Sequence, residues 1–311
     1  MKNDQIHTVL GAAGAVGQAV ITELQAKGLS VRGVGRSLKR SDIAVVQADL
    51  LQIDEAKAAI QGSSYVYLCV GLPYESKVWR RDWPILMQHV IEACRTTDAC
   101  LVFLDNVYLY GPSPLSVPFD ETHSQQPTTE KGKARKQTRD ILWNAIESNA
   151  IKAVVGRAAD FYGPKATYSP FYISFLERML QGKNPQSVAT PGKLHTYANV
   201  SDLGRALVAL ALDPSTYGQA WHLPVGEPIT VTDMLSIFNQ EMGTSFKVSF
   251  LPPFMRKLLA FFMPPLKEVG EMMYQFESDY VMSFDKFKTH FPDFKVSTYQ
   301  EGVKDMVASF R

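Results

Sequence analysis

Three glycines near the N-terminus have the spacing of a pyrophosphate-binding turn. Gly11, Gly14 and Gly17 follow the apolar run 8–10 and precede a helical pattern that should end near Gly28. In such a loop the first glycine permits a tight strand-to-helix turn, the second lets the backbone approach a pyrophosphate, and the third lets the helix pack on the strand. The helix N-terminus offers unpaired N–H groups to the anion. The spacing predicts a dinucleotide site, and no Gly-Lys-Ser/Thr follows it to indicate a nucleoside triphosphatase.

A basic residue ends the second predicted strand. The run 30–36 finishes at Arg36, where an NAD-binding enzyme of this kind usually has an acidic residue that holds the ribose 2′-hydroxyl. An arginine at this place can pair with the 2′-phosphate of NADP, and Ser37, Lys39 and Arg40 follow within reach. The sequence therefore favours NADP(H), and a solvated basic loop is the alternative reading.

Strands and helices alternate along most of the chain, which predicts a parallel sheet. The predicted elements after a third strand at 45–50 are a helix at 54–61, a strand at 65–70, a helix at 80–97, a strand at 100–105, a helix at 132–149, a strand at 152–156 and a helix at 201–212. Thr230 and Asp233 predict the start of another helix, which ends at Gly243. The Pro-rich loop 108–129 leaves the carboxyl end of a strand, so it should border the ligand site.

Composition narrows the function class. The chain has 311 residues, of which 46% are hydrophobic and 20% charged, and its net charge of +1 gives no electrostatic case for nucleic acid or an acidic membrane. The polar N-terminus and the absence of a long apolar run predict a cytoplasmic protein. Cys69, Cys94 and Cys100 form no C-x-x-C pair and are expected to be reduced core thiols. The scattered histidines predict no metal site.

Several stretches resemble the extended and atypical short-chain dehydrogenases/reductases. The glycine spacing is similar to theirs, residues 106–111 resemble their Ser-containing V-Y-G segment, 156–164 resemble R-P-x-x-x-Y-G-P, and 195–202 resemble a V-D-D stretch. The resemblance implies a Rossmann-type, doubly wound parallel sheet with a smaller C-terminal substrate lobe. The cofactor domain would comprise 1–165 with 196–225 returning to it, and the lobe 166–195 and 226–311. Such proteins include epimerases, dehydratases, carbonyl reductases and cofactor sensors, so the fold leaves the activity open.

The same resemblance implies the remaining cofactor contacts. Asp49 and Leu50 resemble the Asp-Leu pair beside the adenine, although Asp49 could equally cap a helix. The residues predicted to contact the cofactor are Gly11, Ala13, Gly14, Ala15, Val16, Gly17, Arg36, Asp49, Leu50, Val70, Gly71, Lys136 and Phe161.

The catalytic motif of that family is incomplete here. In the family a Tyr and a Lys separated by three residues form Y-x-x-x-K: the ammonium lowers the pKa of the phenol and holds the nicotinamide ribose, and a Ser polarises the carbonyl. Alignment puts Lys136 at the Lys position and Gly132 at the Tyr position, and the alternative register, with Lys133, puts Thr129 there. The Ser position falls on Asn106, whose amide can donate a hydrogen bond but cannot relay a proton.

Three tyrosines are candidates for the missing phenol. Tyr110 is the first choice, because its loop leaves the strand that bears Asn106, and Tyr108 and Tyr162 come next. The predicted catalytic set is therefore Asn106, Tyr110 and Lys136. In the alternative, no proton donor exists and the chain is a non-catalytic NADP(H)-binding regulator, a redox sensor.

The C-terminal part gives weaker guidance on the substrate. Sugar-nucleotide members of the family have an Arg-Asp pair where this chain has His195 and Thr196, which disfavours phosphate recognition, although Lys193 and Arg256 could serve. The aromatic and Met-rich stretch 250–276 would suit an apolar carbonyl compound, or form lobe core or the surface of a homodimer. We therefore predict an NADP(H)-dependent oxidoreductase or epimerase/dehydratase-like enzyme acting on a small, mostly apolar carbonyl or alcohol substrate.

Overall fold

Residues 5–252 and 268–311 are described by the structure, which is a computed structural model. Seven strands of these ranges form one parallel sheet: β1 (Ile6–Leu10), β2 (Ser30–Val34), β3 (Ala44–Val46), β4 (Ser63–Leu68), β5 (Cys100–Asn106), β6 (Ala153–Ala158) and β11 (Ala220–His222). Their order is β11-β6-β5-β4-β1-β2-β3. The chain reverses direction across the sheet between β1 and β4, and open α/β sheets bind ligands outside the carboxyl ends of the strands at such a point. The predicted Rossmann-type, doubly wound sheet is confirmed.

Helices cover both faces of this sheet. The helices that flank it are α1 (Ala15–Ala26), α2 (Ile53–Ile60), α3 (Ser76–Thr97), α4 (Glu130–Glu147) and α6 (Val200–Leu212). Because side chains alternate along a strand, Val9 is buried beneath α1 and α6, whereas the next residue, Leu10, is buried beneath α2, α3 and α4. A Cβ added at Gly204 would lie 2.5 Å from the carbonyl carbon of Ala19, so a glycine lets α6 approach α1. No helix within the described ranges is long and apolar enough to cross a membrane.

A second, smaller group of elements packs around its own aromatic core. The short strands are β7 (Phe161–Tyr162), β8 (Gln186–Ser187), β9 (Leu194–His195), β10 (Ala198–Asn199), β12 (Ile229–Thr230) and β13 (Ser249–Phe250), and the helices are α5 (Glu177–Leu180), α7 (Val231–Met242), α8 (Tyr274–Glu277), α9 (Asp285–His290) and α10 (Tyr299–Phe310). The Thr230 side chain accepts the N–H of Asp233, and Gly243 ends α7 at φ 65°, as predicted. Phe287 of α9 is instead buried in the core beneath α1 and α6.

The start of α4 differs from the expectation by two residues. The helix begins at Glu130 instead of residue 132, because the Thr129 side chain accepts the N–H of Gly132 and caps it. A Cβ added at Gly132 would lie 2.5 Å from the carbonyl oxygen of Tyr108, so α4 packs closely under the long loop.

The three cysteines are buried free thiols, as expected. Burial raises the pKa of Cys69 to about 12 and the pKa of Cys100 to about 11. The reactive thiolate is therefore scarce at neutral pH, which fits core thiols and gives no support to a catalytic cysteine.

Candidate active site

The glycine loop joins the carboxyl end of β1 to the N-terminus of α1. Gly11 has φ 81°, and a Cβ added there would lie 2.7 Å from the carbonyl oxygen of Cys69. A Cβ added at Gly17 would lie 2.3 Å from the carbonyl oxygen of Gly11. At Gly14, by contrast, the one described atom within 4 Å of an added Cβ is the Gly11 oxygen, at 3.3 Å. The fold itself therefore requires Gly11 and Gly17, whereas Gly14 borders open space.

This open space lies over the first turn of α1. Gly14 is the N-cap residue of α1 and provides no side-chain cap. The N–H groups of Ala15, Val16 and Gly17 come first in the helix, where α-helices have no intrahelical acceptors. These N–H groups and the helix dipole favour an anion such as a pyrophosphate.

Arg36 follows β2 at the same edge of the sheet. It is exposed and, among the described residues, it makes no hydrogen bond or ion pair. The neighbouring Arg40 differs, because its guanidinium pairs with Asp42, whose carboxylate also accepts a hydrogen bond from Gln25. Arg36 is thus the arginine of this loop whose charge is available to a ligand.

Other predicted cofactor residues lie after β3, after β4 and in β7. The side chain of Asp49 stabilises the turn that it begins, because its Oδ1 atom accepts the N–H of Leu51 at 3.0 Å. Leu50 is buried. A Cβ added at Gly11 would lie 2.9 Å from the Cα atom of Val70, so the segment after β4 lies against the loop. An added Cβ at Gly71 would meet no described atom within 4 Å, and Phe161 is half-buried in β7.

The inward face of α4 carries Lys131 and Arg135, which sequence reasoning missed. Both are buried, at 0% and 2% exposure, and they lie one helical turn apart. Lys131 and Arg135 are separated by three residues, as are the Tyr and Lys of the family's motif. The signal that could have placed them was helical periodicity, because Ala134, Thr138 and Leu142 of the same helix share this buried face.

Lys136, which was predicted to reach the nicotinamide ribose, is placed on the outer face of α4. Its side chain is 40% exposed, and its ammonium pairs with Asp140, one turn later on the outer face of α4. The Lys136 ammonium lies 2.6 Å from the Asp140 carboxylate. The choice of Lys136 came from the alignment with the family motif, and a helix turns each successive side chain by about 100°, so Lys136 and the neighbouring Arg135 face different directions.

The ammonium of Lys131 is enclosed by groups from two segments, residues 74–76 and 268–271. It donates to the Ser76 Oγ atom at 3.1 Å and to the Glu271 carboxylate at 2.8 Å. It also binds the Glu268 carboxylate, and it lies 4.4 Å from the centre of the Tyr74 ring. A buried cation next to two carboxylates and a ring face is well compensated.

The carboxylates of Glu268 and Glu271 also accept hydrogen bonds from the first N–H groups of two helices. Glu268 accepts the N–H of Ser76 at 2.9 Å, and Glu271 accepts the N–H of Glu130 at 2.8 Å. They therefore satisfy unpaired N–H groups at the beginnings of α3 and α4 and complement both helix dipoles. Through these bonds and Lys131, the segment before α8 closes over the carboxyl edge of the sheet.

Tyr110, the first candidate for the proton donor, lies in the interior of the protein. Its phenol is buried, accepts a hydrogen bond from the Arg157 guanidinium at 2.7 Å, and lies 2.6 Å from the Nε2 atom of His222. Burial raises the pKa of Tyr110 to about 12, although the charge of Arg157 opposes this change. Burial likewise lowers the pKa of His222 to about 3, which leaves this imidazole neutral. Tyr110 is therefore part of an internal hydrogen-bond network.

The other two tyrosine candidates differ from each other. Tyr162 is buried against Tyr299, and burial raises the pKa of its phenol well above the usual range. Tyr108 is half-buried, and its phenol accepts a hydrogen bond from Tyr74 at 3.3 Å. Its backbone N–H binds the side-chain oxygen of Asn106 at 3.1 Å. Asn106 and Tyr108 therefore meet at the carboxyl end of β5.

A buried carboxylate compensates two buried arginines beneath this edge. Asp105 of β5 accepts a hydrogen bond from the Arg135 Nε atom at 2.9 Å and lies 3.4 Å from the Arg157 Nε atom. We expect Asp105→Asn to lower the free energy of unfolding by about 3 to 5 kcal/mol, because two buried guanidinium charges would lose their counterion. The measurement is denaturant unfolding.

The matched control for this change is Asp98→Asn. Asp98 pairs with Lys152 on the surface, where its side chain is 85% exposed, so its loss should cost about 0 to 1 kcal/mol. Equal stability losses in the two variants would contradict the assigned role of Asp105.

The family of the chain follows from comparison with known proteins. A model described as the NAD dependent epimerase/dehydratase family matches residues 7–226, which is more than half of the chain, so the chain belongs to this family. A curated relative is the 2-alkyl-3-oxoalkanoate reductase of Shewanella oneidensis, which is 25% identical over 256 residues. The matched part is 74% of this chain, and the chain spans 64% of the length of that relative.

Solved structures support the fold. The Bordetella bronchiseptica enzyme WbmH in complex with NAD+ superposes with a TM-score of 0.78 at 18% identity, covering 100% of this chain and 99% of that chain. UDP-glucuronic acid 4-epimerase from Bacillus cereus in complex with NAD has a TM-score of 0.79 at 16% identity, covering 98% of each chain. The Thermus thermophilus UDP-glucose 4-epimerase complex with NAD has a TM-score of 0.77 at 20% identity, covering 99% of each chain.

Proposed function

We propose that the protein binds NADP(H) at the glycine loop and uses it to reduce a small, mostly apolar carbonyl compound, or to oxidise the corresponding alcohol. The observation that carries the proposal is the open space at Gly14 over the uncapped N-terminus of α1, with the unpaired guanidinium of Arg36 at the end of the neighbouring strand. A side chain at Gly14 would fill the cradle that a pyrophosphate needs. The name of the Shewanella relative supports reduction of a ketone.

The side chains at the carboxyl end of β5 would act on the carbonyl oxygen. When bound, the cofactor supplies a hydride to the carbonyl carbon. The Asn106 side-chain N–H2 group would donate to the oxygen as negative charge develops on it. Lys131, on the inward face of α4, would give this oxygen a proton, with the oxygen replacing Ser76 as an acceptor of the ammonium. The carboxylates of Glu268 and Glu271 keep the ammonium in place.

The experiment for this proposal is NADPH oxidation, followed by absorbance, against a panel of ketones, aldehydes and enones. We expect turnover with at least one neutral ketone or aldehyde. Tight NADPH binding without turnover across the panel would overturn the enzymatic part of the proposal.

Arg36 should decide the choice between the two cofactors. We expect wild-type protein to prefer NADPH to NADH by about 10- to 150-fold in affinity, and Arg36→Asp to remove this preference, because a charge-assisted bond to the 2′-phosphate contributes about 1.5 to 3 kcal/mol. Calorimetric titration of wild type and variant with NADPH and with NADH measures these affinities. Lys183→Asp makes the same change in net charge at an exposed site outside the glycine-loop region and should keep the preference. Equal wild-type affinities would refute the role of Arg36.

A second candidate function is a non-catalytic NADP(H)-binding regulator. One observation favours it: both basic residues on the inward face of α4 are engaged in buried ion pairs, Lys131 with Glu268 and Glu271, and Arg135 with Asp105. A regulator needs the cofactor site intact and has no need of a free acid. The carbonyl panel separates the two candidates.

A further inference from the structure

A cavity of about 570 Å³ lies beside β11, the last strand of the large sheet. It is lined by residues of α4, of β6 and β11, of the loop that follows β5 and of the segment at the start of α9. Three strands separate β11 from β1, which carries the glycine loop, so at about 4.8 Å per strand the two are about 19 Å apart. The proposed function makes no use of this cavity, whose volume is typical of a small-molecule site.

The cavity exists because no further strand pairs with the outer edge of β11. Two side chains take the place of such a strand: Lys286 donates to the carbonyl oxygen of Ala220 at 2.8 Å, and Glu121 accepts the N–H of His222 at 2.7 Å. Charged side chains at an edge in this way prevent another strand from pairing there. The space beside the edge is therefore open to a small ligand.

The guanidinium of Arg157 belongs to the lining of this cavity and is incompletely bonded. The residue is 1% exposed. Its Nε atom lies 3.4 Å from the Asp105 carboxylate, and its Nη1 atom donates to the Tyr110 phenol at 2.7 Å. Its Nη2 atom has no hydrogen-bond partner in the described part of the chain. A buried N–H group without an acceptor is costly, so a ligand that brings an acceptor is favoured here.

The neighbouring network does not supply that acceptor. Burial lowers the pKa of His222 to about 3, so its imidazole is neutral and only one of its nitrogens carries a proton. The Nδ1 atom donates to the carbonyl oxygen of Ser283 at 2.7 Å, so the Nε2 atom accepts from the Tyr110 phenol at 2.6 Å. The phenol in turn accepts from Arg157. Because these groups are satisfied by one another, the acceptor for Nη2 has to come from outside the network.

A second arginine of the lining also has a nitrogen without a partner. Arg139 of α4 donates from Nη1 to the Asp140 carboxylate at 3.1 Å, and its guanidinium carbon lies 4.3 Å from the centre of the Trp143 ring. Its Nε atom is buried and makes no hydrogen bond to any described residue. Arginine N–H groups bind carboxylates with charge-assisted bonds. The two arginines therefore favour a carboxylate as the acceptor.

Carboxylates of the protein line the same cavity. In each of them one oxygen accepts a hydrogen bond from a nearby backbone N–H or hydroxyl group, and the other has no hydrogen-bond partner within residues 5–252 and 268–311. They belong to Asp120, Glu121 and Asp285. A ligand that combines a carboxylate with an ammonium can bind the arginines and these free oxygens together, which a simple anion cannot do.

We propose that this cavity is a second ligand site, which binds a free α-amino acid. The carboxylate of the amino acid accepts hydrogen bonds from the Nη2 atom of Arg157 and the Nε atom of Arg139, and its ammonium donates to the carboxylates of the lining. The Trp143 ring covers part of its side chain. The proposal goes beyond the proposed function, because it involves neither the cofactor nor the carbonyl substrate.

Thermal unfolding with each of the soluble amino acids at about 10 mM, at constant pH and ionic strength, tests the site. We expect at least one amino acid to raise the unfolding midpoint by about 1 °C or more. Calorimetry then compares that amino acid with its N-acetyl derivative and its α-amide, each of which lacks one charge and should bind at least about 10-fold more weakly. If no amino acid raises the midpoint, or if either derivative binds as tightly as the parent, the proposal is overturned.

Two variants locate the bound amino acid. Arg139→Gln and Asp285→Asn change side chains that reach solvent, so the fold should persist, and each should weaken the affinity by at least about 5-fold. Arg95→Gln and Asp98→Asn make the same changes of charge at exposed sites outside the cavity and should leave the affinity unchanged. Unchanged affinity in both cavity variants would place the amino acid elsewhere and overturn the assignment of this site.

Discussion

Lys131→Met is expected to lower turnover by about 10²- to 10⁴-fold while the affinity for NADPH stays nearly the same. The ammonium of Lys131 is the proton donor in the proposed reaction, and methionine keeps most of the length and apolar volume of the side chain without a proton to give. Glu268 and Glu271 would still accept the N–H groups of Ser76 and Glu130, so the ends of α3 and α4 keep their caps. Steady-state rates and NADPH titration measure the two effects separately.

Lys133→Met is the matched control for this variant. Lys133 lies two residues further along α4, where its side chain is 58% exposed and pairs with Glu130. Its replacement should leave turnover within about 2-fold, since exposed ion pairs contribute little. Full activity of Lys131→Met would show that another group gives the proton, and Tyr108→Phe would then test the remaining phenol beside the crevice.

Gly14→Val is expected to abolish NADPH binding while the fold persists. An added Cβ has only the Gly11 oxygen nearby, at 3.3 Å, so the side chain fits the cofactor-free protein but fills the space over the N-terminus of α1. The loss of glycine at this N-cap should cost no more than about 1 kcal/mol of stability. NADPH at about 100 times its dissociation constant should add about 2.7 kcal/mol to the stability of the wild type and nothing to that of the variant.

Gly17→Val distinguishes loss of the site from loss of the fold. A Cβ at Gly17 would lie 2.3 Å from the carbonyl oxygen of Gly11, so this variant should unfold at a lower temperature even without cofactor. Thermal unfolding of both variants, with and without NADPH, measures the difference. A full NADPH-induced shift in Gly14→Val would place the cofactor elsewhere.

Local signals in the sequence were sufficient for the fold. The alternation of apolar residues predicts strands and helices because side-chain direction repeats every two residues in a strand and about every 3.6 in a helix. The cap at Thr230 and the stop at Gly243 predicted α7 correctly for the same reason, since each acts within one helical turn. The glycine spacing likewise located the loop between β1 and α1, where steric limits on the backbone leave few alternatives to Gly11 and Gly17.

Which side chains of α4 face the sheet could not be told from the motif spacing. Alignment with the family motif selected Lys136, which lies on the outer face, whereas Lys131 and Arg135 are buried on the inner one. A tyrosine can act as an acid, so residue type alone made Tyr110 a candidate. In the structure its phenol is buried and accepts a hydrogen bond from Arg157, which is 47 residues away in the sequence. A change of one residue in the alignment selects a side chain that points about 100° away around the helix, so motif spacing alone does not decide which residue faces the site.

The sequence by itself determined the doubly wound sheet, the glycine loop and the basic residue after the second strand, because these depend on neighbours within a few positions. Only the tertiary structure decided what surrounds the crevice. Glu268 binds Lys131, which is 137 residues away in the sequence, and Glu271 binds the N–H of Glu130, which is 141 residues away. Asp160 and His195 come together only when β6 and β9 are in place. Electrostatic contacts of this kind depend on distance in space, which composition and periodicity do not encode.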